Sequence, residues 1–191
     1  MSKHIAIISA ALGALAMTAA TIVSVSAQGK MKSEMSGEKT VMVGGAAMFP
    51  SRNIIQNAVN SKDHTTLVAA VKAAGLVSTL EGKGPFTVFA PTNSAFGKLP
   101  AGTVDNLVKP ENKPALTRIL TYHVVPGRLE ASSLSDGKKL KTVEGEELTV
   151  KRSGDKVMII DAKGDSAAIT IPNVNQSNGV IHVVDTVLMP S

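Results

Sequence analysis

The stretch ILTYHVVPG, Ile119 to Gly127, places the only tyrosine of the chain beside one of its four histidines, inside an otherwise apolar run. Its β-branched valines and its closing glycine favour a strand through TYHVV, after a short helix over 114–120. Successive side chains of a strand point to opposite faces, so we expect one of Tyr122 and His123 to face the core and the other to lie outward or at an edge. On that geometry the two cannot form one catalytic dyad.

Upstream, FTVFAPTNSAF (Phe86 to Phe96) combines a strand with a helical turn. The strand ends at Pro91, and Thr92 and Asn93 then precede the apolar turn. Threonine and asparagine are preferred at the first, non-helical position of a helix, so a capping role is the expectation. An anion held at that helix start is the alternative, but it would need further donors that the sequence does not identify.

Downstream, NGVIHVVDTVLMP begins with Gly179 in a turn cluster and continues as a strand. His182 and Asp185 are three residues apart, so in a strand they face opposite sides and do not predict a metal site or an acid–base pair. His182 alternates with two valines, which indicates a packed or edge histidine. Asp185 is expected to accept backbone hydrogen bonds at a bend.

The order of these elements predicts the fold class. Short helices fill the first half of the chain, and after Gly127 the segments KLKTV, ELTVKR, KVMIID, AAITI and GVIHVV alternate with turn clusters. Aromatic residues make up only 3% of the 191 residues, so the core must consist of Val, Ile, Leu and Ala. We expect one α+β domain with a mainly antiparallel sheet folded upon itself.

The N-terminal part has the pattern of an export signal. An Ala-rich apolar run ends in SVSAQG, which predicts a signal peptide over residues 1–27, with a retained membrane anchor as the alternative. Residues 28–47 lack a sustained period and are expected to be a flexible linker, so the domain should span 48–191. The chain has no cysteine, which excludes both a disulfide and a lipoprotein attachment site.

Charge and motifs exclude several functions. The net charge of +5 is scattered and is not interleaved with aromatics, so nucleic acid is not an expected partner. Weak attraction to anionic lipid or polysaccharide is compatible with it. None of the common hydrolase, metalloprotease, P-loop or dinucleotide motifs occurs, and the histidines lack metal-ligand spacing, so we expect no catalysis, metal or cofactor.

The three motif stretches, in this order and spacing, resemble the fasciclin (FAS1) domain family, and HTTLVAAVKAAGL resembles its first long helix. The resemblance implies a β-sandwich or wedge of mainly antiparallel strands with several short helices packed on one side. It also implies a bacterial single-domain member, secreted or periplasmic. The weak hydrophobicity of the Ala-rich run favours cleavage, so no retained membrane span is expected. Asn93 stands where the family often has Asp, and the tandem repeats and Cys-rich neighbours of animal adhesion members are absent.

By that resemblance, Tyr122 and His123 are candidate contact residues of an adhesion or interaction module whose partner is a cell-surface or extracellular protein, polysaccharide or lipid. The alternative for His123 is a structural role, buried and hydrogen-bonded to Thr92 or Asn93. The alternative function is a carrier or sensor of a small apolar or lipid ligand, held in a groove between the helices and the sheet. A groove of several hundred Å³ would favour that carrier.

Overall fold

Short helices precede a long run of strands in the structure, a computed structural model that describes residues 39–191. The strands are β1 (Val41–Val43), β2 (Ala46–Met48), β3 (Phe86–Pro91), β4 (Val124–Pro126), β5 (Lys139–Lys141), β6 (Glu147–Ser153), β7 (Lys156–Ile160), β8 (Ser166–Gln176) and β9 (Gly179–Val184). The α-helices are α1 (Ile54–Ala58), α2 (Thr65–Ala74), α3 (Val77–Glu81), α4 (Asn93–Gly97), α5 (Thr103–Leu107) and α6 (Lys113–Tyr122). Single 3-10 turns cover Lys62–His64, Pro110–Asn112 and Ala131–Ser133. The expected signal peptide, 1–27, and most of the expected linker lie outside the described residues.

Seven strands form one curled sheet in the order β4-β3-β9-β8-β7-β6-β5. The neighbours pair antiparallel except β3 and β9, which are parallel. Strand β8 has two register shifts, between Ile169 and Ile171 and between Ile171 and Val174, and such irregularities bend a strand. The curl brings the two edge strands, β4 and β5, together. The N–H of Val143, just after β5, donates to the carbonyl of Val124 in β4 at 2.8 Å. The expected α+β class is confirmed.

The central strands separate two hydrophobic cores. All six residues of β9 are buried, as is typical of a strand covered on both faces. Along β3, Val88 belongs to the core between the helices and the sheet, whereas Phe89 belongs to the core inside the curled sheet. The first core also takes Leu116 and Leu120 of α6, and their spacing places them on one face of that helix.

The close approach of β3 and β9 explains why residue 179 is a glycine. A Cβ built on Gly179 would lie 2.1 Å from the carbonyl oxygen of Phe86, so any larger residue would push the strands apart. The residue before it, Asn178, ties the same turn to the helices. Its Oδ1 accepts from Ile54 N–H at 3.0 Å, and its Nδ2 donates to the Leu80 carbonyl at 2.7 Å. The turn NG therefore joins the helical layer to the sheet.

The structure corrects the expected end of the linker. Residues 41–48 form a β-hairpin, and the first core includes Val43 and Met48, which are 4% and 3% exposed. The two glycines at its turn have φ of 56° and 76°, the left-handed conformation that a two-residue hairpin turn needs. Three-residue strands are too short to show alternation, which is why the sequence pattern suggested a linker to Ala47.

Removing this hairpin should destabilise the domain. A chain that begins at Phe49 loses two buried apolar side chains, each contributing about 1.5–3 kcal/mol, so the unfolding free energy should fall by roughly 3–6 kcal/mol. A chain that begins at Lys39 keeps the hairpin and is the matched control. Urea unfolding of both, compared with the chain from Gln28, gives the two differences. Equal stability of all three would show that the hairpin contributes nothing to folding.

Candidate functional site

Tyr122 and His123 lie at a helix end, not in a strand, so the expected strand through TYHVV is wrong there. Helix α6 runs through Tyr122, His123 is its C-cap, and β4 begins at Val124. Consequently the two side chains are not divided between an inner and an outer face. Tyr122 is 0% exposed and His123 is 3% exposed. Neither presents a surface to a partner, so the contact site proposed for this pair is not on these side chains.

His123 bridges two backbone segments as a neutral imidazole. Its Nδ1 lies 2.8 Å from the carbonyl oxygen of Ile119, and its Nε2 lies 3.0 Å from the backbone nitrogen of Leu188. A carbonyl only accepts and a backbone N–H only donates, so the hydrogen sits on Nδ1 and Nε2 is the acceptor. Burial lowers the pKa of His123 to about 4, which keeps the ring neutral at physiological pH.

The partners expected for His123, Thr92 and Asn93, bind elsewhere. Thr92 caps α4 as predicted, because its Oγ1 accepts from Ala95 N–H at 3.2 Å. Asn93 reaches the start of α2, where its Oδ1 accepts from Thr66 N–H at 3.0 Å and its Nδ2 donates to the Lys62 carbonyl at 2.8 Å. Pro91 is the last residue of β3, paired with Val184. Thr92 and Asn93 therefore cap two helices, and neither is a hydrogen-bond partner of the His123 ring.

Tyr122 packs in the core inside the curled sheet, and its hydroxyl forms a hydrogen bond with a loop. Its side chain packs in the cluster with Phe89, Leu134 and Leu148. The hydroxyl oxygen accepts from Ala162 N–H at 2.9 Å, in the turn that follows β7. Burial raises the pKa of Tyr122, so the phenol stays protonated. The side chain is thus a packing element with a satisfied polar tip.

Three acceptors hold the backbone of the C-terminal segment, 187–191, and we name this set the C-terminal clasp. Its bonds, all 3.0 Å, run from Leu188 N–H to His123 Nε2, from Met189 N–H to Asp161 Oδ2 and from Ser191 N–H to Glu146 Oε2. Arg118 of α6 pairs with Glu146 at 2.6 Å on the exposed side. Sequence reasoning missed the clasp because its acceptors lie 65, 28 and 45 residues from their donors.

His182 and Asp185 are also structural. His182 is fully buried in β9, where its Nε2 donates to the Leu129 carbonyl at 2.7 Å and its Nδ1 accepts from Asn173 N–H at 3.3 Å. Its ring stacks on Phe89 with centroids 5.8 Å apart, and burial lowers its pKa. Asp185 lies past the end of β9, where it accepts from Ala168 N–H at 2.9 Å, as expected for a bend. Among residues 39–191, no group of His, Cys, Asp and Glu could hold a metal ion.

Acid should destabilise the domain through its buried histidines. The unfolded His123 titrates near 6.5 and the folded one near 4, so between these values the unfolded state binds more protons and stability falls as pH falls. The loss attributable to His123 is about 3 kcal/mol, complete near pH 4. Urea unfolding at pH 7.5, 5.5 and 4.5 measures the slope. His123→Gln, which does not titrate, should lose part of it, and an unchanged slope would contradict the assignment.

The Tyr122 hydroxyl should contribute much less than its ring. Tyr122→Phe removes the hydrogen bond from Ala162 N–H in an exposed turn and the longer one, 3.4 Å, to the Glu147 carbonyl, at a cost of about 1 kcal/mol. Tyr122→Ala also removes the buried ring and should cost about 3–5 kcal/mol. Thermal or urea unfolding of both variants ranks the two contributions. Equal losses for the two variants would show that the hydroxyl, and not packing, is the main role.

Comparisons with known proteins agree with this architecture. The fasciclin domain family model matches residues 62–190. Protein sll1483 of Synechocystis sp. is 48% identical over 153 residues, covering 80% of this chain and 82% of that protein. Cell surface glycolipoprotein MPB83 of Mycobacterium bovis is 39% identical over 153 residues, covering 78% of this chain and 64% of that protein.

A solved structure shows the same fold. The FAS1 domain pair of the insect cell adhesion molecule Fasciclin I superposes with a TM-score of 0.66 at 19% identity, covering 74% of this chain and 52% of that one. The resemblance read from the three motifs is therefore confirmed by the family model, by bacterial relatives and by the fold. This chain belongs to the fasciclin domain family.

Proposed function

We propose that this protein is a secreted or periplasmic interaction module that binds a cell-surface or extracellular component through its outer surface, without catalysis. One observation carries the proposal: five polar side chains of the three motifs are committed to holding backbone groups of the fold. Thr92, Asn93, His123, His182 and Asp185 each make such a bond. The motifs therefore specify the fold, and no reactive group among these residues is left for chemistry.

The relatives support a location outside the cytoplasm. One of them is by name a cell surface glycolipoprotein, and the structural neighbour comes from a cell adhesion molecule. In residues 39–191, no helix has the length and apolar character required to cross a membrane. An exported domain without cysteine must hold together by packing alone, and the two cores with their hydrogen-bonded histidines supply that packing.

A lipid carrier is the weaker alternative on the evidence of volume. The space between the helices and the sheet, where the sequence suggested a ligand groove, holds a cavity of about 80 Å³. Pockets that enclose drug-sized ligands measure about 300–1,000 Å³. A lipid does not fit such a cavity without separation of α2 and α6 from the sheet. The surface is thus the favoured site of recognition.

Binding to the cell envelope tests the proposal. The labelled chain from Gln28 is added to envelope of the source bacterium, and bound protein is measured against excess unlabelled protein. Saturable binding is expected. Pretreatment of the envelope with protease, periodate or organic solvent then separates protein, polysaccharide and lipid partners.

The interior variant Tyr122→Phe is the matched control, because its changed atom is buried. It should bind as the wild type does wherever it remains folded. Absence of saturable binding to untreated envelope would overturn the proposal. A selective loss of binding in the folded variant would return the contact site to the Tyr-His motif.

A further inference from the structure

A cleft opens on the outer surface between the N-terminal hairpin and β8. Its volume is about 450 Å³, within the range of about 300–1,000 Å³ that is typical of small-molecule sites. None of the residues in its wall belongs to the three motifs. The wall is formed by the hairpin with its flanks and by two asparagines of β8, namely Lys39, Thr40, Val41, Met48, Pro50, Asn173 and Asn175.

The two asparagines present hydrogen-bond donors in fixed orientations. Asn173 Oδ1 accepts from Ala131 N–H at 2.7 Å, and Asn175 Oδ1 accepts from Arg128 Nη1 at 2.9 Å. A backbone N–H and a guanidinium only donate, so each carboxamide turns its oxygen to that partner and its amino group away from it. Neither amino group has a hydrogen-bond partner among residues 39–191. Because both asparagines line the cleft, their amino groups are available to a ligand there.

The backbone of β8 is irregular where it meets the cleft. Asn173 has φ of 55°, which is uncommon for a residue other than glycine, and it lies at the register shift between Ile171 and Val174. Asparagine tolerates this left-handed conformation better than most residues that carry a side chain. Irregularities of this kind re-aim a side chain, and here the re-aimed side chain is part of the cleft wall.

Two basic side chains give the cleft a positive charge. Lys39 is part of the wall, and the exposed Arg128 is held against it by its bonds to Asn175 Oδ1 and, at 2.8 Å, to the Gln176 carbonyl. Neither basic residue forms an ion pair with a carboxylate in the part of the chain that the structure describes. Glu130 lies nearby in the sequence, but it is exposed and does not line the cleft. The cleft therefore attracts an anionic ligand.

The chemistry of the wall selects an acidic sugar among anionic ligands. The amino groups and the ammonium only donate, which suits a carboxylate, whereas the Thr40 hydroxyl both donates and accepts, which suits a sugar hydroxyl. Val41 and Pro50 are half-buried and supply an apolar surface for the C–H face of a sugar ring. Lipid headgroups are arrayed on a broad surface, whereas the two asparagines are half-buried within a cleft.

We propose that this cleft binds a uronic acid unit of an acidic polysaccharide. The carboxylate accepts from the amino groups of Asn173 and Asn175, and the ring lies on Val41 and Pro50. The inference rests on the proposed function and names its partner, because it makes the cleft the surface at which this protein meets the cell envelope. Attraction by Lys39 and Arg128 is screened by salt, so binding weakens as the ionic strength rises.

A trimer of mannuronate and its methyl ester test the chemistry of the ligand, because the two probes share their rings and differ in charge. Each is titrated into the 15N-labelled chain from Gln28. The free acid should give saturable NMR shifts at the side-chain amino groups of Asn173 and Asn175, which 15N spectra report directly. It should bind roughly tenfold more tightly than the ester, because hydrogen bonds to a charged acceptor are stronger. Tighter binding of inorganic phosphate or of phosphatidylglycerol vesicles at these amino groups would overturn the assignment to a sugar.

Two nearly isosteric variants test the donors. Asn173→Asp and Asn175→Asp keep the oxygen that accepts from Ala131 or Arg128 and replace the amino group by a second carboxylate oxygen. Each should weaken binding of the free acid by roughly tenfold or more. Asn106→Asp makes the same change of charge at an exposed position of α5, outside the cleft, and should bind as the wild type does. The two positions keep the test decisive if one variant does not fold.

The envelope assay separates this inference from the proposed function. Folded Asn175→Asp should lose saturable binding to the envelope, and Asn106→Asp should keep it. Envelope binding that persists in folded Asn175→Asp would overturn the inference and leave the proposed function standing, whereas absence of envelope binding by the wild type would overturn the proposed function. Absence of saturable shifts with the mannuronate trimer, or an unchanged affinity in the folded aspartate variants, would also overturn the inference.

Discussion

The parallel pairing of β3 with β9 is the constraint on which the rest of the structure depends. Phe86 and Gly179 face each other at one end of the ladder and Pro91 and Val184 at the other, so the N-terminal half of the domain is joined to its last strand. Parallel strands require a long crossover, and here the crossover, residues 92–178, contains α4 to α6 and β4 to β8. These two strands lie between the two cores. A Cβ at position 179 would widen the distance between the strands and would therefore disturb both helix packing and sheet closure.

Buried histidines connect segments that the β-ladder leaves apart. His182 joins β9 to the Leu129 carbonyl and to Asn173, whose positive φ of 55° marks the irregular part of β8. His123 joins α6 to the C-terminal segment. Each ring donates from one nitrogen and accepts at the other, which only neutral imidazole does. The same property that makes these side chains useful cross-links makes the fold sensitive to acid, because a protonated ring has no acceptor for a backbone N–H.

The sequence predicted those parts of the structure that depend on a local pattern of residues. Alternation revealed the longer strands, and the three motifs identified the family. The hairpin before Phe49 was missed because strands of three residues carry no period. Tyr122 was placed in a strand because TYHVV has β-branched residues, although Leu116, Ile119 and Leu120 already had helical spacing that continues to Tyr122. The partner of His123 was misassigned because the sequence alone does not identify it. A buried imidazole needs a hydrogen-bond partner, but many distant backbone groups could supply one.

Motifs that specify a fold are poor guides to its function when their buried polar groups are satisfied internally. In this domain, Tyr122 is buried and has its hydroxyl bonded, and the first motif caps two helices. These motif side chains are therefore explained by folding, and they do not by themselves identify a partner.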